Sequence, residues 1–327
     1  MSRFLGMAAT AHALSLTAME EASRRGQREA DIDDLFLALV VEEQIAGQVL
    51  RWAGITLDAA REAVAALHAA QLESLGITAD LPGPDRIVFH ETGGYEWTGR
   101  ALDVFDRASR KGSKGDGVAV LRALLAEPSG MIEDLLHRLG TAPAEVLARL
   151  DEAERLPARP APRHPASGAL SGSAEKFVPA PVPAVWAMLA DPARMPEWDP
   201  GIARVEPGEE AGLLGGTWVA LAPTHRPDGR RLDIKPEFRR RRVELLDADE
   251  ASFIKWRLSF PDATRANPLC IAIILEPAAG GTLLGITLEW QRIRKSRVLG
   301  PLLRPWQKFA IWMQLSQIGA AISRAFR

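Results

Sequence analysis

Two different periods of apolar residues divide this chain. Up to about residue 154 the apolar positions recur three and four apart, as on helices, and after about residue 173 they alternate, as on strands. Ala11, Leu14, Ala18, Met19 and Ala22 share one helical face between Ala8 and Arg25, and Gly26 supplies the stop. Asp31 to Asp34 offer N-cap oxygens for a second helix through Val41. A third carries Ile45, Val49 and Leu50 to Gly54, and Thr56 or Asp58 caps a fourth through Leu72. The series then returns. Ala22-Ser23-Arg24-Arg25-Gly26 reappears as Ala108-Ser109-Arg110-Lys111-Gly112, Leu35-Phe36-Leu37-Ala38-Leu39 as Val120-Leu121-Arg122-Ala123-Leu124, and Leu50-Arg51-Trp52-Ala53-Gly54 as Leu136-His137-Arg138-Leu139-Gly140. An offset this constant means that a whole four-helix unit is duplicated. A poorly periodic connector with Pro82 and Pro84 separates the copies from Gly76 to Gly94, and Thr98 is the N-cap of the second, which runs to about Glu154.

From Leu156 to Gly172 four prolines and almost no core-forming residues describe an extended tether, reaching roughly 3 Å per residue in its proline-rich part. The chain is thus expected to comprise a helical domain over 1–154, a linker over 155–172 and a second domain over 173–327. In the second domain Ile254, Trp256, Leu258 and Phe260 line one face of a strand, with Lys255, Arg257 and Ser259 on the other. Leu284, Ile286, Leu288 and Trp290 repeat the arrangement against Thr287, Glu289 and Gln291. Leu269 to Leu275 is apolar on both faces. Turn residues at Pro261-Asp262 and Ala279-Gly280-Gly281 join these runs into an antiparallel meander. A short helix from Val182 to Ala190 precedes the strands. A long one from about Leu302 to Phe326 follows, with Trp306, Phe309, Ala310 and Met313, then Gln317 and Ala320, as its expected core-facing stripe.

Composition narrows the function classes. A net charge of −2 over 327 residues argues against non-specific binding to nucleic acid, which would also need aromatics interleaved with a wider basic surface. A single cysteine, Cys270, rules out an intramolecular disulfide and fits a reducing cytoplasm. The mildly apolar start from Arg3 to Met19 is interrupted by His12, Ser15 and Thr17 and leads into the first repeat, so it reads as a helix and not as a secretion signal. No run approaches the ~20 apolar residues of a membrane span, and insertion is not expected.

Motifs for catalysis are absent from the sequence: it has no Gly-x-Ser-x-Gly, no His-Glu-x-x-His and no phosphate loop, the glycines of Lys111 to Gly117 being wrongly spaced for one. Asp199, Asp233, Glu237, Glu289 and His225 are titratable but sit in no constellation, and His164 lies in the linker. No metal, cofactor or catalytic residue is expected. Arg239 to Arg242 form a basic run. Either Arg239 and Arg241 share the inward side with Val243 and Leu245, to meet an anionic ligand group, or the run is solvated and neutralised by Glu237, Glu244 and Asp247.

The doubled helices over residues 7–154, with a leucine-rich second helix in each copy followed by the helix ending at Gly54 or Gly140, resemble the Clp N-terminal repeat domain. The resemblance implies an all-helical module that binds peptides or proteins, Clp components among them, and no ATPase motif follows it. In some members a threonine opening the first helix and a glutamate in the turn before the second hold phosphorylated arginine. Thr98 and Asp33 are the matching candidates, while Ala8 replaces the first copy's threonine. The run from Ala180-Pro181-Val182-Pro183-Ala184-Val185-Trp186 to Asp191-Pro192-Ala193-Arg194-Met195-Pro196-Glu197-Trp198, with the strands and long helix after it, resembles the polyketide-cyclase-like branch of the START-like superfamily over residues 173–327. That resemblance implies a helix-grip α+β fold, an antiparallel sheet around the C-terminal helix with a cavity for a hydrophobic small molecule. Trp256, Trp290, Leu288, Phe309, Trp312, Met313, Ser316 and Arg241 are its candidate lining. The leading expectation is a non-enzymatic protein of two binding modules; a cyclase, dehydratase or hydrolase in the cavity, or a co-chaperone surface, are the alternatives.

Overall fold

A computed structural model describes residues 3–77, 87, 94–110, 115–155, 170–207, 215–226, 229–263, 265–290 and 300–327. The chain divides into two units, Met1–Ala158 and Arg159–Arg327.

In the first unit the helical periods become helices at the expected places. Helix α1 (Arg3–Arg24) buries Leu14, Ala18 and Ala22 and stops before Gly26, whose φ of 71° suits a residue without a side chain. A two-residue strand β1 (Glu29–Ala30) leads into α2 (Ile32–Val40), where the Asp34 carboxylate accepts the N–H of the N-cap Asp31 at 3.1 Å. Helices α3 (Ile45–Trp52) and α4 (Leu57–Ser74) follow, the latter capped by Thr56, whose hydroxyl accepts from the Ala59 N–H.

The second copy runs through β2 (Glu96–Trp97), α5 (Gly99–Ser109), α6 (Gly117–Leu125), α7 (Met131–Arg138) and α8 (Pro143–Arg155). Thr98 and Asp116 cap α5 and α6 through the N–H groups of Ala101 and Ala119. Most of the connector between the copies lies outside the described residues. Strands β1 and β2 pair in parallel and tie the copies together. Two residues are too few for any alternation to announce such a pairing. Helix α2 is buried along its whole length, so its polar residues Asp33 and Asp34 are interior groups.

The second unit begins earlier than the composition suggests. Strand β3 (Leu170–Val178) takes in Leu170, Ser171 and Gly172, which the proline-rich context assigned to the linker; residues 156–169, with His164, lie outside the described residues. Then come α9 (Val182–Ala190), a single 3₁₀ turn, α10 (Met195–Trp198), β4 (Arg204–Pro207), β5 (Thr217–Leu221), β6 (Arg240–Asp249), β7 (Phe253–Ser259), β8 (Leu269–Ala278), β9 (Gly281–Trp290) and α11 (Gly300–Arg324). The seven longer strands form one antiparallel sheet in the order β3-β9-β8-β7-β6-β5-β4. Its register stacks side chains in rows across the inner face. One row is Leu170, Trp290, Leu269, Leu258, Val243 and Trp218; the next is Gly172, Leu288, Ile271, Trp256 and Leu245. Leu258, Val243, Leu288, Ile271 and Trp256 are fully buried.

Helix α11 corrects the sequence reading. Its buried stripe is Ile311, Leu315, Ile318 and Ile322, whereas Phe309 and Met313 are 50% and 42% exposed, Ser316 and Gln317 are exposed, and Ala310 and Ala320 are half-buried. Both stripes have helical spacing, so period alone cannot choose between them. Gly172 does choose. A Cβ at that position would lie 2.6 Å from Ile311 Cγ2 and 3.3 Å from Leu315 Cδ1, so the helix lies where the sheet offers a bare backbone, and the compact aliphatic side turns inward. Each of those four buried aliphatic side chains contributes about 1.5–3 kcal/mol.

Candidate ligand site

Alternation along β6 aims Val243 and Leu245 at the core and, with them, Arg241; Arg240 and Arg242 are exposed. Arg239 does not join the inward pair. It precedes the strand, is exposed, and donates through Nε to the Ile234 carbonyl at 3.1 Å. Arg241 is half-buried opposite Ala220, a side chain too short to crowd it. Its guanidinium lies against Gly201, where a Cβ would come within 2.6 Å of Nη1, and 5.6 Å from the centroid of the Phe260 ring. A cation over an aromatic face gains about 0.5–2 kcal/mol, depending on desolvation. Phe238 packs edge-on against Phe260 with centroids 5.3 Å apart, and Trp218 meets Trp256 of the neighbouring row edge-on at 5.7 Å.

Two residues before Gly201 stands Asp199, 3% exposed. Its Oδ1 accepts the Gly201 N–H at 2.8 Å, while Oδ2 is buried without a hydrogen-bond partner among the described residues, as is Arg241 Nε. Burial pushes the Asp199 carboxyl above its ordinary range, and the Arg241 charge and the Gly201 N–H only partly restrain that rise. The arrangement places a fixed guanidinium and a desolvated carboxyl beside an apolar wall, which suits recognition of an oxygen-bearing ligand group.

The candidates named from sequence are spread over three environments. Trp256 and Leu288 are core residues, and Trp256 spends its only donor on the Leu189 carbonyl at 3.2 Å, which docks α9 over the sheet. Trp290 is half-buried at the end of its strand. Phe309, Met313 and Ser316 are exposed, with Trp312 half-buried and its ring 5.7 Å from that of Phe309, so this flank of α11 is not the one pressed on the sheet. Arg241 alone of the set combines inward direction with an unsatisfied polar atom. Trp218 and Phe238 escaped the sequence reading because no pattern separates them from other aromatics. Asp199 was visible only as an isolated titratable group. His225 and Asp233 are exposed, Glu237 and Glu289 half-buried, and the buried Cys270 thiol is pushed up by desolvation.

In the helical unit the two peptide-binding candidates are already engaged. Asp33 is 1% exposed and pairs with Arg25 Nη1 at 2.9 Å and His68 Nε2 at 3.1 Å, while Arg25 Nη2 reaches Asp34 at 2.8 Å. The carboxylate expected to receive a ligand's guanidinium therefore holds one from its own chain. Burial opposes ionisation of Asp33, but the His68 hydrogen bond and the Arg25 charge keep its carboxyl below the usual range; burial and the charge of Asp33 push Asp34 well above it. The Thr98 hydroxyl donates to Asp31 Oδ1 at 2.5 Å, and Arg100 pairs with the same carboxylate. An open groove of about 550 Å³ runs beside α5, lined among others by Arg100, Asp103, Arg107, Arg110, Glu127 and Ser129. Among the described residues no group of three or more His, Cys, Asp or Glu could hold a metal ion, and no helix is long and apolar enough to cross a membrane.

Strand order, the long C-terminal helix and the inward rows together define a helix-grip fold. In agreement, residues 170–317 match the family described as polyketide cyclase / dehydrase and lipid transport. That part of the second unit is thus similar to polyketide cyclase / dehydrase proteins, and the first unit is helical apart from the β1–β2 pair. Solved structures to which the chain is similar include protein CV1439 from Chromobacterium violaceum, at 19% identity over 47% of this chain and 97% of that one, with a TM-score of 0.30. Ara h 8.0201 is 15% identical over 48% and 99%, with a TM-score of 0.33. The di-domain ARO/CYC StfQ from the steffimycin biosynthetic pathway is 16% identical over 58% of each chain, with a TM-score of 0.36. Likenesses this distant add nothing to the geometry. No curated protein matches the chain.

Proposed function

We propose that the protein is a non-enzymatic binder of two modules, in which the C-terminal domain holds a hydrophobic small molecule and the helical unit docks a peptide or protein. The observation that carries the first part is the joint presence, on one side of the sheet, of half-buried Trp218 and Phe260 with the inward guanidinium of Arg241. Ligand sites of this kind are mostly apolar with few, fixed polar groups. The family match over 170–317 supports the same reading, since its description includes lipid transport. The docking role of the helical unit rests on the resemblance of its repeats to the Clp N-terminal domain and on the charged groove beside α5. Native mass spectrometry of the full chain, purified without detergent, tests the first part: a co-purifying lipophile, or tryptophan quenching on titration with lipophiles, is expected. An apo mass together with no quenching by any of them would overturn it.

A catalytic reading has one observation in its favour. Asp199, buried with one oxygen unpartnered, has the environment of a carboxyl that donates a proton to a carbonyl, as a cyclase or dehydratase requires. Turnover of a poly-β-ketone by the full chain, lost in Asp199→Asn, would decide for it against simple binding.

A further inference from the structure

Resting on the reading that the C-terminal domain holds a hydrophobic ligand, we propose that this ligand is a carboxylic acid, its carboxylate held by Arg241 and its apolar body laid against the half-buried rings of Trp218 and Phe260. On β6 Arg241 stands half-buried in line with the apolar Val243 and Leu245, and a cation drawn from water in this way is costly unless an anion meets it. Among the described residues no carboxylate forms an ion pair or hydrogen bond with it; Asp199 acts on it only through space. The guanidinium is held on two sides, by the Gly201 backbone and by the Phe260 ring, so its planar fork is oriented before any ligand arrives. Small Ala220 across the ladder leaves the approach open. A neutral ketone or alcohol would accept a hydrogen bond there but leave the positive charge uncompensated. A carboxylate compensates it in contact, through the paired N–H geometry that guanidinium groups favour.

Matched probes separate the acid from its skeleton. Dodecanoate against methyl dodecanoate and 1-dodecanol, and anthracene-2-carboxylate against its methyl ester, would be titrated into the full chain at pH 8 and followed by tryptophan fluorescence. The acids are expected to bind roughly tenfold to a hundredfold more tightly than the esters, the range of a hydrogen bond to a charged partner. Arg241→Gln should bring acid and ester together, Arg241→Lys should restore part of the difference, and near-UV circular dichroism would confirm that both variants keep their packing. Asp199→Asn, which leaves Arg241 no nearby carboxyl of its own chain among the described residues, should keep or raise the affinity for the acids. Equal binding of acid and ester, a preference that survives Arg241→Gln, or its loss in Asp199→Asn would overturn the proposal and leave hydrophobic binding standing. Failure of every probe to bind would overturn both.

Discussion

Replacing Arg25 with methionine strips the guanidinium that bridges Asp33 and Asp34 in the first helical repeat. The two carboxylates are 1% and 0% exposed, and Arg25 reaches them at 2.9 and 2.8 Å. Breaking a buried pair by removing one partner costs about 3–5 kcal/mol, because the remaining charge has lost both water and its counter-ion. Arg25 keeps 22% of its side chain in water and His68 still faces Asp33, so the expected loss at pH 8 lies near the low end, about 3 kcal/mol. With a urea dependence of about 2 kcal/mol/M, that moves the midpoint of the helical transition down by about 1.5 M. Far-UV circular dichroism of the full chain follows the helices, while tryptophan fluorescence reports chiefly the second half, which carries seven of the nine tryptophans through Trp186 to Trp312.

The pH dependence carries the sign of the argument. Arg25 lowers the pKa of both carboxyls, so its removal raises both folded values relative to the parent, and the variant's deficit is smallest at acid pH, where both are protonated, and grows as pH rises and they ionise. Asp34→Asn added to Arg25→Met should recover part of the loss by removing one of two like charges. A midpoint shift under about 0.3 M, or a deficit that grows toward acid pH, would mean that Arg25 does not compensate these carboxyls.

Two further predictions concern packing. Gly47→Ala would put a Cβ 2.0 Å from the Glu42 carbonyl oxygen and 2.7 Å from Arg51 Nη1, a guanidinium that donates to the Val40 and Glu42 carbonyls and that burial pushes down to about 10; a loss of about 2–3 kcal/mol by urea unfolding is expected. A neutral result would mean the turn before α3 yields freely. On α11, Ile311→Ala or Leu315→Ala should cost about 2–5 kcal/mol and Phe309→Ala within about 0.5 kcal/mol, and the reverse ranking by chemical denaturation would return the helix to the orientation its aromatic stripe suggests.

Where a residue's fate depends on its own stretch of chain, the sequence was enough. Helix periods, the caps at Thr56 and Thr98, the glycine stops at Gly26, Gly54 and Gly140 and the alternation through Ile254 to Phe260 or Leu284 to Trp290 are local, and each appears as expected. The duplication of the four-helix unit was legible for the same reason. What depends on a partner far along the chain was not legible. Two stripes of α11 had equal claims until Gly172 admitted Ile311 and Leu315, and Asp33 looked open to a ligand's guanidinium until Arg25 folded onto it. Arg241 had two readings on its own strand; what singles it out as a candidate is the meeting of Ala220, Gly201, Phe260 and Asp199 around it. Backbone propensity and period act over a few residues, whereas desolvation and charge compensation are set by whatever the fold brings within a few ångströms, and that neighbourhood is decided in three dimensions.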